Sequence, residues 1–418
     1  MNIQEIYSLF KDSSGISTDT RRIKKNSIFF SLRGNNFNGN HYSKKAIENG
    51  CSYAIVDEKE YAIYRNTILV DNALETLQNL AKYHRSKLSI PIIGITGTNG
   101  KTTSKEIINS ILNSEKKCYS TKGNLNNHIG VPLSILEINQ THNIAIIEMG
   151  ANHIKEISFL CDIVKPSHAI ITNIGIAHLE GFGSFNKIIE AKNEMYHYIK
   201  ENNGLIFINS EDKLLSKLSA KIEKKSYGKK GDIIGTIKNN TPFLQIEYNT
   251  LIIKSKLIGS FQFYNIMLGI CVGKYFNISD HNIKNSIEQY IPNNNRSEII
   301  KTKENTLIMD AYNANPSSME KMLISFSEHE YKNKLCIIGE MLELGKKSKE
   351  EHQKIIDLCL TLKLKTYYIG KEFKQTNKNT FKNRKEFEHL LRKRKISNKT
   401  ILLKGSRRNA LEKLVKYL

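Results

Sequence analysis

Short apolar runs separated by amphipathic stretches recur along the whole chain, and their order carries the first structural information. Residues 27–32 and 53–56 read as short strands, and the stretch from His41 to Gly50 between them reads as a helix closed by a glycine cap. Near Ile90 the pattern changes. Residues 90–96 read as a buried strand running directly into a glycine turn, with a helix from Lys101 to about Asn113 behind it. Apolar runs at 144–147, 168–172 and 205–208 repeat the theme, with helical segments between several of them. Such alternation predicts a mostly parallel sheet with helices on both faces. A turn-rich linker, Pro292-Asn293-Asn294-Asn295, closes this block, and strands at 306–309, 335–338, 366–369 and 400–403 follow at the spacing of βα units. The expected fold class is α/β in three domains: a small α/β domain over 1–89, a central phosphate-loop domain with a mostly parallel sheet over 90–297, and a third α/β domain over 298–418.

Length and composition agree with several cores, since 418 residues exceed what one core ordinarily organises. The 39% hydrophobic and 25% charged content is that of a globular chain and excludes intrinsic disorder. The formal charge of +22 admits two readings, binding to nucleic acid or an anionic membrane, or the Lys-, Asn- and Ile-rich composition of AT-rich coding. The lysines are spread along the whole chain and no nucleic-acid motif accompanies them, so the second reading is preferred. The densest basic stretch, Arg392 to Lys395, reads as a solvated helix end. Six widely spaced cysteines form no CxxC pair and read as small apolar residues of a reducing compartment. The first residues lack the basic region and apolar run of a signal peptide, and no stretch approaches the ~18 apolar residues of a membrane span. A cytoplasmic location is expected, with no membrane span.

The strongest chemical signal is Gly97-Thr98-Asn99-Gly100-Lys101-Thr102-Thr103, placed between a strand and a helix. Glycines let the backbone turn tightly and aim N–H groups at an anion, and the helix N-terminus adds partial positive charge. Lys101 would neutralise the outer phosphates of a nucleotide and the Thr102 hydroxyl would reach Mg²⁺. The strict Walker spacing is missed, because Ile95 stands where its first glycine belongs.

The segment 96–103 resembles the signature of the Mur ligases and of the related folylpolyglutamate synthases. Further segments are similar to Mur ligase motifs: Gly123-Asn124-Leu125-Asn126-Asn127, Glu148-Met149-Gly150-Ala151-Asn152-His153, and the stretch 177–184. Asp310-Ala311-Tyr312-Asn313-Ala314-Asn315-Pro316, the stretch 339–345 and Lys404-Gly405-Ser406-Arg407 match as well. The matches run in family order from Ser17 to Arg407. The resemblance implies an N-terminal domain that binds a UDP-sugar, a central ATPase domain and a Rossmann-like C-terminal domain. It implies an ATP-dependent carbon–nitrogen ligase using ATP and Mg²⁺ through an acyl phosphate. The substrates so implied are UDP-N-acetylmuramoyl-tripeptide and D-alanyl-D-alanine, in cell-wall precursor synthesis. A monomer that binds no nucleic acid is expected.

Carried over residue by residue, the resemblance makes Glu148, at the end of a strand, a Mg²⁺ ligand together with Thr102. His178 becomes the ligand of a second Mg²⁺, and Lys192, as a carbamate formed with CO₂, a support of the metal site; Lys101, His178 and Lys192 are the catalytic candidates. Asn265 resembles an adenine-contacting asparagine, although Gln262 and Phe261 depart from the usual neighbours; a helix cap is its alternative. Arg296 would touch the ATP phosphates, with Asn295 replacing the family's glycine before it, and Asp310 would hold the ribose or merely initiate a turn. Ser17, Thr20 and Arg21 resemble a uridine-binding stretch, and Arg33 lies in a loop near the diphosphate. Asn126 and Asn127 would contact the muramoyl-peptide, and Lys404, Ser406 and Arg407 the incoming dipeptide or the transferring phosphate.

Alternatives are the Mur ligase that adds lysine or diaminopimelate as third residue, a folylpolyglutamate synthase, a basic phosphate-loop protein binding nucleic acid, and a non-catalytic scaffold. No DNPR segment supports the first, and intact Lys101, Thr102, Glu148 and His178 speak against the last.

Overall fold

The computed structural model describes residues 1–293, 295–373 and 379–418. Asn294, within the linker expected over 292–295, lies outside them. The N-terminal unit begins with α1 (Ile3–Lys11), whose end is fixed by a capping box between Asn2 and Glu5. Strands β1 (Ile16–Ser17) and β2 (Ile28–Phe30), a small hairpin of β3 (Arg33–Gly34) and β4 (Phe37–Asn38), helix α2 (Ser43–Glu48), β5 (Tyr53–Val56) and β6 (Thr67–Leu69) follow. β1, β2, β5 and β6 form a parallel four-stranded sheet in that order. Helix α3 (Ala73–Ser86) leads out of the unit and packs on the next one. His84 Nε2 meets the Ile138 carbonyl at 2.7 Å, and Arg85 Nε donates to the Val164 carbonyl at 2.7 Å.

The central unit opens with β7 (Ile92–Thr96), α4 (Lys101–Leu112), β8 (Cys118–Ser120), α5 (Gly130–Leu136), β9 (Ile144–Glu148), α6 (Glu156–Val164) and β10 (His168–Ile171). It continues through α7 (Leu179–Phe182), α8 (Phe185–Glu201), β11 (Leu205–Asn209), α9 (Lys213–Leu218) and β12 (Glu223–Gly228). Then come β13 (Ile233–Asn239), β14 (Gln245–Tyr248), β15 (Leu251–Lys254), α10 (Gln262–Tyr275) and α11 (Asp280–Gln289). The sheet runs β15-β14-β13-β12-β11-β10-β7-β9-β8. Successive residues of β7 enter opposite cores: Ile92 packs with α5, α6 and α8, while Ile93 and Ile95 pack with α4 and α10. This is the period-two pattern of a strand buried on both faces, which reads in sequence as an unbroken apolar run. The parallel part meets the expectation. An antiparallel meander, β13 to β15, is added at one edge; β14 alternates strictly, Gln245-Ile246-Glu247-Tyr248, but over only 4 residues, and β13 and β15 are irregular in burial.

The C-terminal unit contains β16 (Glu298–Lys301), β17 (Asn305–Asp310), α12 (Pro316–Glu328), β18 (Lys334–Gly339), α13 (Ser348–Thr361), β19 (Thr366–Ile369), β20 (Thr380–Phe381), α14 (Arg384–Lys393) and β21 (Lys399–Lys404). Its sheet order is β16-β17-β21-β18-β19-β20, parallel except for the β16–β17 pair. All six cysteines are buried and unpaired. Among the described residues no helix is long and apolar enough to cross a membrane.

Candidate active site

The phosphate-loop candidate follows β7, at the carboxyl edge where open α/β sheets place ligands. The chain turns at Gly97 (φ 136°) and Gly100 (φ 81°). A Cβ on Gly97 would lie 2.0 Å from Thr172 Oγ1, and one on Gly100 would lie 2.8 Å from Asn265 Oδ1, so neither position takes a side chain. The first turn of α4, Lys101 to Thr103, presents N–H groups that have no partner within the helix. The Thr98 and Asn99 N–H groups instead donate to Asn173, to its carbonyl at 2.9 Å and its Oδ1 at 3.1 Å. Lys101 Nζ donates to the carbonyls of Gly97 at 2.6 Å and Thr98 at 3.1 Å. Burial holds its pKa below the ordinary lysine value; Glu148 opposes that shift and Arg296 adds to it.

Strands β9 and β10 flank β7 and deliver the next groups. Ile95 pairs in register with Glu148, so this carboxylate emerges beside the loop, 2% exposed. Its Oε2 accepts from Thr102 Oγ1 at 3.0 Å and its Oε1 from Asn126 Nδ2 at 2.9 Å. The Glu148 N–H donates to Thr121 Oγ1 at 3.0 Å, and the Thr121 carbonyl accepts from the buried ammonium of Lys105. Asn127 lies next to Asn126, but its Oδ1 accepts from Gly130 N at 2.8 Å and orders the start of α5.

On the other side, His178 caps α7 in a left-handed conformation (φ 51°). Its Nδ1 is hydrogen-bonded to Glu343 Oε2 of the C-terminal unit, and Glu180 N donates to the Glu343 carbonyl at 3.1 Å. The bond from His178 holds the Glu343 carboxyl below its usual range. Lys192, on α8, is 3% exposed. Burial, reinforced by repulsion from Lys101 and opposed by Glu156 and Glu194, lowers its pKa to about 7. At neutral pH about half of it is therefore free amine, in contrast to the solvated cation usual on a helix.

The C-terminal unit supplies the facing wall. Asp310 and Lys404 are register partners on β17 and β21, with Lys404 Nζ donating to Asp310 Oδ2 at 2.5 Å. Ser297 N donates to Asp310 Oδ1 at 3.2 Å. Arg296 follows Asn295, which adopts φ 58°, and its guanidinium stacks 3.6 Å from the Tyr312 ring centroid. Arg407 lies 5.4 Å from that centroid. Asn265 is in the first turn of α10, where its Oδ1 accepts from Ser104 at 3.0 Å and its Nδ2 donates to Gln262 at 2.6 Å.

One cavity of about 730 Å³ takes in the 97–103 loop, Asn126, Asn127, Glu148, His178, Lys192, Asn265, Arg296, Asp310 and Lys404. Ser406 and Arg407 lie beyond its lining, and Ser406 Oγ accepts from Leu342 N at 3.1 Å. The N-terminal candidates are also outside it. Arg21 pairs with Asp19 at 2.8 Å near Ser17 and Thr20, and Arg33 faces Asp57 at 2.8 Å and Glu58 at 3.2 Å. Thr121, Asn173, Tyr312 and Glu343 shape the site without having been singled out by sequence. Tyr312 and Glu343 fall inside recognisable segments, whereas Thr121 and Asn173 carried only the signal of polar residues at strand ends.

The donors around Glu148 suit a hard divalent cation, being carboxylate and hydroxyl oxygens. Among the described residues no three His, Cys, Asp or Glu side chains form a metal cluster by themselves.

Comparison with known proteins agrees over the length of the chain. The sequence model of the Mur ligase family, catalytic domain matches residues 12–85, that of the Mur ligase middle domain 95–273, and that of the Mur ligase, glutamate ligase domain 295–407. The UDP-N-acetylmuramoyl-tripeptide–D-alanyl-D-alanine ligase of Bacillus subtilis is 32% identical over 97% of this chain and 93% of its own. The enzyme of that name from Buchnera aphidicola subsp. Baizongia pistaciae is 33% identical over 96% and 92%. A crystal structure of MurF from Acinetobacter baumannii superposes with a TM-score of 0.87 at 27% identity, covering 99% of this chain and 98% of that one. MurF ligase from Thermotoga maritima in complex with ADP gives 0.83 at 26% identity, covering 96% of each. Sequence, fold and cavity thus converge, and the chain belongs to the Mur ligase family.

Proposed function

We propose that this chain is an ATP-dependent ligase that joins D-alanyl-D-alanine to UDP-N-acetylmuramoyl-tripeptide, releasing ADP and phosphate, in peptidoglycan precursor synthesis. The observation that carries this reading is the meeting of the phosphate loop, Glu148, His178 and Lys192 in one cavity walled by both larger units. Its relatives of known name, similar over nearly their whole length, perform this addition.

The reaction needs a carboxylate oxygen of the tripeptide to attack the γ-phosphorus of ATP, forming a mixed anhydride as ADP leaves. The dipeptide amine then attacks the acyl carbon, loses a proton, and expels phosphate. Both steps gather negative charge on oxygen, so positioned cations and N–H donors supply the catalysis. Residues 97–103 would cradle the triphosphate, with Lys101 and Arg296 on its outer oxygens. Asn265 would meet the adenine and Asp310 the ribose, each by exchanging its present protein partner for the nucleotide. Thr102 and Glu148 would hold one Mg²⁺, and His178 a second, supported by Lys192 as a carbamate. The free amine implied by a pKa of about 7 supports that modification, because only the neutral amine attacks CO₂. Mg²⁺ would neutralise phosphate charge in flight. With Nδ1 committed to Glu343, His178 has Nε2 left to coordinate.

Asn126 and Asn127 would meet the muramoyl-peptide, and Lys404, Ser406 and Arg407 the dipeptide or the moving phosphate. Ser17, Thr20 and Arg21 would hold the uridine. Arg33 would reach the diphosphate by leaving Asp57 and Glu58. A monomer working in the cytoplasm, where the nucleotide substrates are made, completes the reading. The test is phosphate release with ATP, Mg²⁺ and UDP-muramoyl-tripeptide, comparing D-alanyl-D-alanine with single amino acids. Release dependent on the dipeptide is expected; release with lysine or diaminopimelate on the dipeptide precursor would instead assign the third-residue reaction.

A further inference from the structure

Asn99 stands at the tip of the phosphate loop, yet its carboxamide is directed at the C-terminal unit. Asn315 Nδ2 donates to Asn99 Oδ1 at 2.8 Å, and Asn99 Nδ2 donates to Ser317 Oγ at 2.9 Å, with Asn315 Oδ1 also 3.4 Å away. The partners are 216 and 218 residues distant in sequence. Asn315 is 5% exposed and is the N-cap of α12, its Oδ1 accepting from Ser318 N at 2.9 Å. The main chain of Asn99 is gripped from the opposite direction. Its carbonyl accepts from Thr172 Oγ1 at 2.7 Å and Asn173 Nδ2 at 2.8 Å. One residue thereby ties together the loop, the end of β10 and the start of α12.

The contact is close as well as polar. Gly175, which pairs with Thr98 through a 2.9 Å bond to Thr98 Oγ1, would place a Cβ 2.9 Å from Ser317 Oγ. Asn99 lines the cavity, whereas Asn315 and Ser317 do not. Asn315 and Ser317 therefore act on a ligand in the cavity through neighbours that line it: Ser318, which Asn315 caps within α12, and Asn99, which both touch and which alone of the two belongs to the loop.

We infer that Asn99 is a positioning residue whose carboxamide couples occupation of the phosphate loop to docking of the C-terminal domain on the central one. The inference rests on the reading that residues 97–103 hold a nucleotide. A loop conformation that favours phosphate and a docked α12 then stabilise one another, and the coupling acts equally in both directions. The phosphate-gripping segment and the wall that closes the site are set in register before the carboxylate attacks. An asparagine suits this role because its side chain can donate and accept at once, which two separate partners on α12 require.

The test is a double-mutant cycle on ADP affinity, measured by calorimetry with Mg²⁺ on the full chain. Asn99→Ala removes the loop side of the clasp. Asn315→Ser removes the other side while keeping an N-cap hydroxyl, and Ser317→Ala is the second variant should Asn315→Ser fold poorly. Each single change is expected to weaken ADP about fivefold, the weight of one neutral hydrogen bond, and the double variant no more than either single. ADP should also slow hydrogen exchange at the first-turn amides of α12 in the wild type and leave it unchanged in Asn99→Ala. A wild type that binds ADP, with effects that multiply or with α12 exchange indifferent to ADP, would overturn the coupling alone. A wild type that binds no ADP would overturn the nucleotide reading and the coupling with it.

Discussion

The Thr102 hydroxyl donates to Glu148 Oε2 across 3.0 Å, joining the first turn of the phosphate-loop helix to the end of the neighbouring strand. The link gives a hydroxyl and a carboxylate, from separate elements, a common point in space where a cation and a triphosphate can meet. Glu148→Gln keeps the shape and removes the charge. It is expected to lower Mg²⁺ affinity in the presence of ADP by about 10-fold or more while the thermal midpoint stays near wild type. Unchanged Mg²⁺ affinity by calorimetry would remove Glu148 from the metal site.

Lys101 is the cation of the loop, enclosed and bonded to the Gly97 and Thr98 carbonyls. Lys101→Ala should cut turnover about a thousandfold, the scale of losing a preorganised charge in a transition state. Its circular dichroism should remain that of the wild type. A folded variant with normal phosphate release would show that this turn does not hold the triphosphate.

Gly97 has no room for a methyl group, being backed by Thr172. Gly97→Ala is predicted to displace the loop, costing about 1–3 kcal/mol of stability from strain and abolishing ADP binding. Thermal denaturation and ADP titration of the same preparation test both parts. Full ADP affinity in this variant would contradict the loop geometry.

Three histidines make the fold sensitive to acid. Burial lowers the pKa of His84 and His352 below 6.5, and that of His168 to about 4. Above pH 6.5 they are neutral in both states and cost nothing. As pH falls below 6.5 the unfolded chain takes up protons that the folded chain refuses, so stability is lost towards the folded pKa values. The slope is about 1.4 kcal/mol per pH unit for each proton. The thermal midpoint should drop between pH 7.5 and 5, and drop less in His84→Gln. An identical decline in that variant would exclude His84 as a contributor.

What could be read from sequence was what lies contiguous along it. Gly97 to Thr103 announces itself because strand, turn and helix follow one another within one segment. Glu148 is legible as a charge terminating an apolar run. The paired use of Asn99 and Asn315 was not, because residues so far apart are joined only by the docking of two sheets. The carboxamides of Asn265 and Asn127, expected from sequence at ligand contacts, are engaged with Ser104 and Gln262, and with Gly130, which composition does not reveal. Arg33 likewise meets Asp57 and Glu58 because the hairpin folds back towards the end of β5. The meander of β13 to β15 is weakly marked in sequence because its one alternating strand, β14, is only 4 residues long and β13 and β15 are irregular in burial.

The proposed reaction requires that a substrate carboxylate be phosphorylated beside the 97–103 loop before the amide forms. It is tested most directly with UDP-muramoyl-tripeptide carrying ¹⁸O in the reacting carboxylate, incubated with ATP, Mg²⁺, D-alanyl-D-alanine and the enzyme. Attack of the carboxylate on phosphorus, then expulsion of phosphate by the amine, carries one labelled oxygen into each inorganic phosphate released, which mass spectrometry would detect. Phosphate released without label, at a rate matching product formation, would contradict the account.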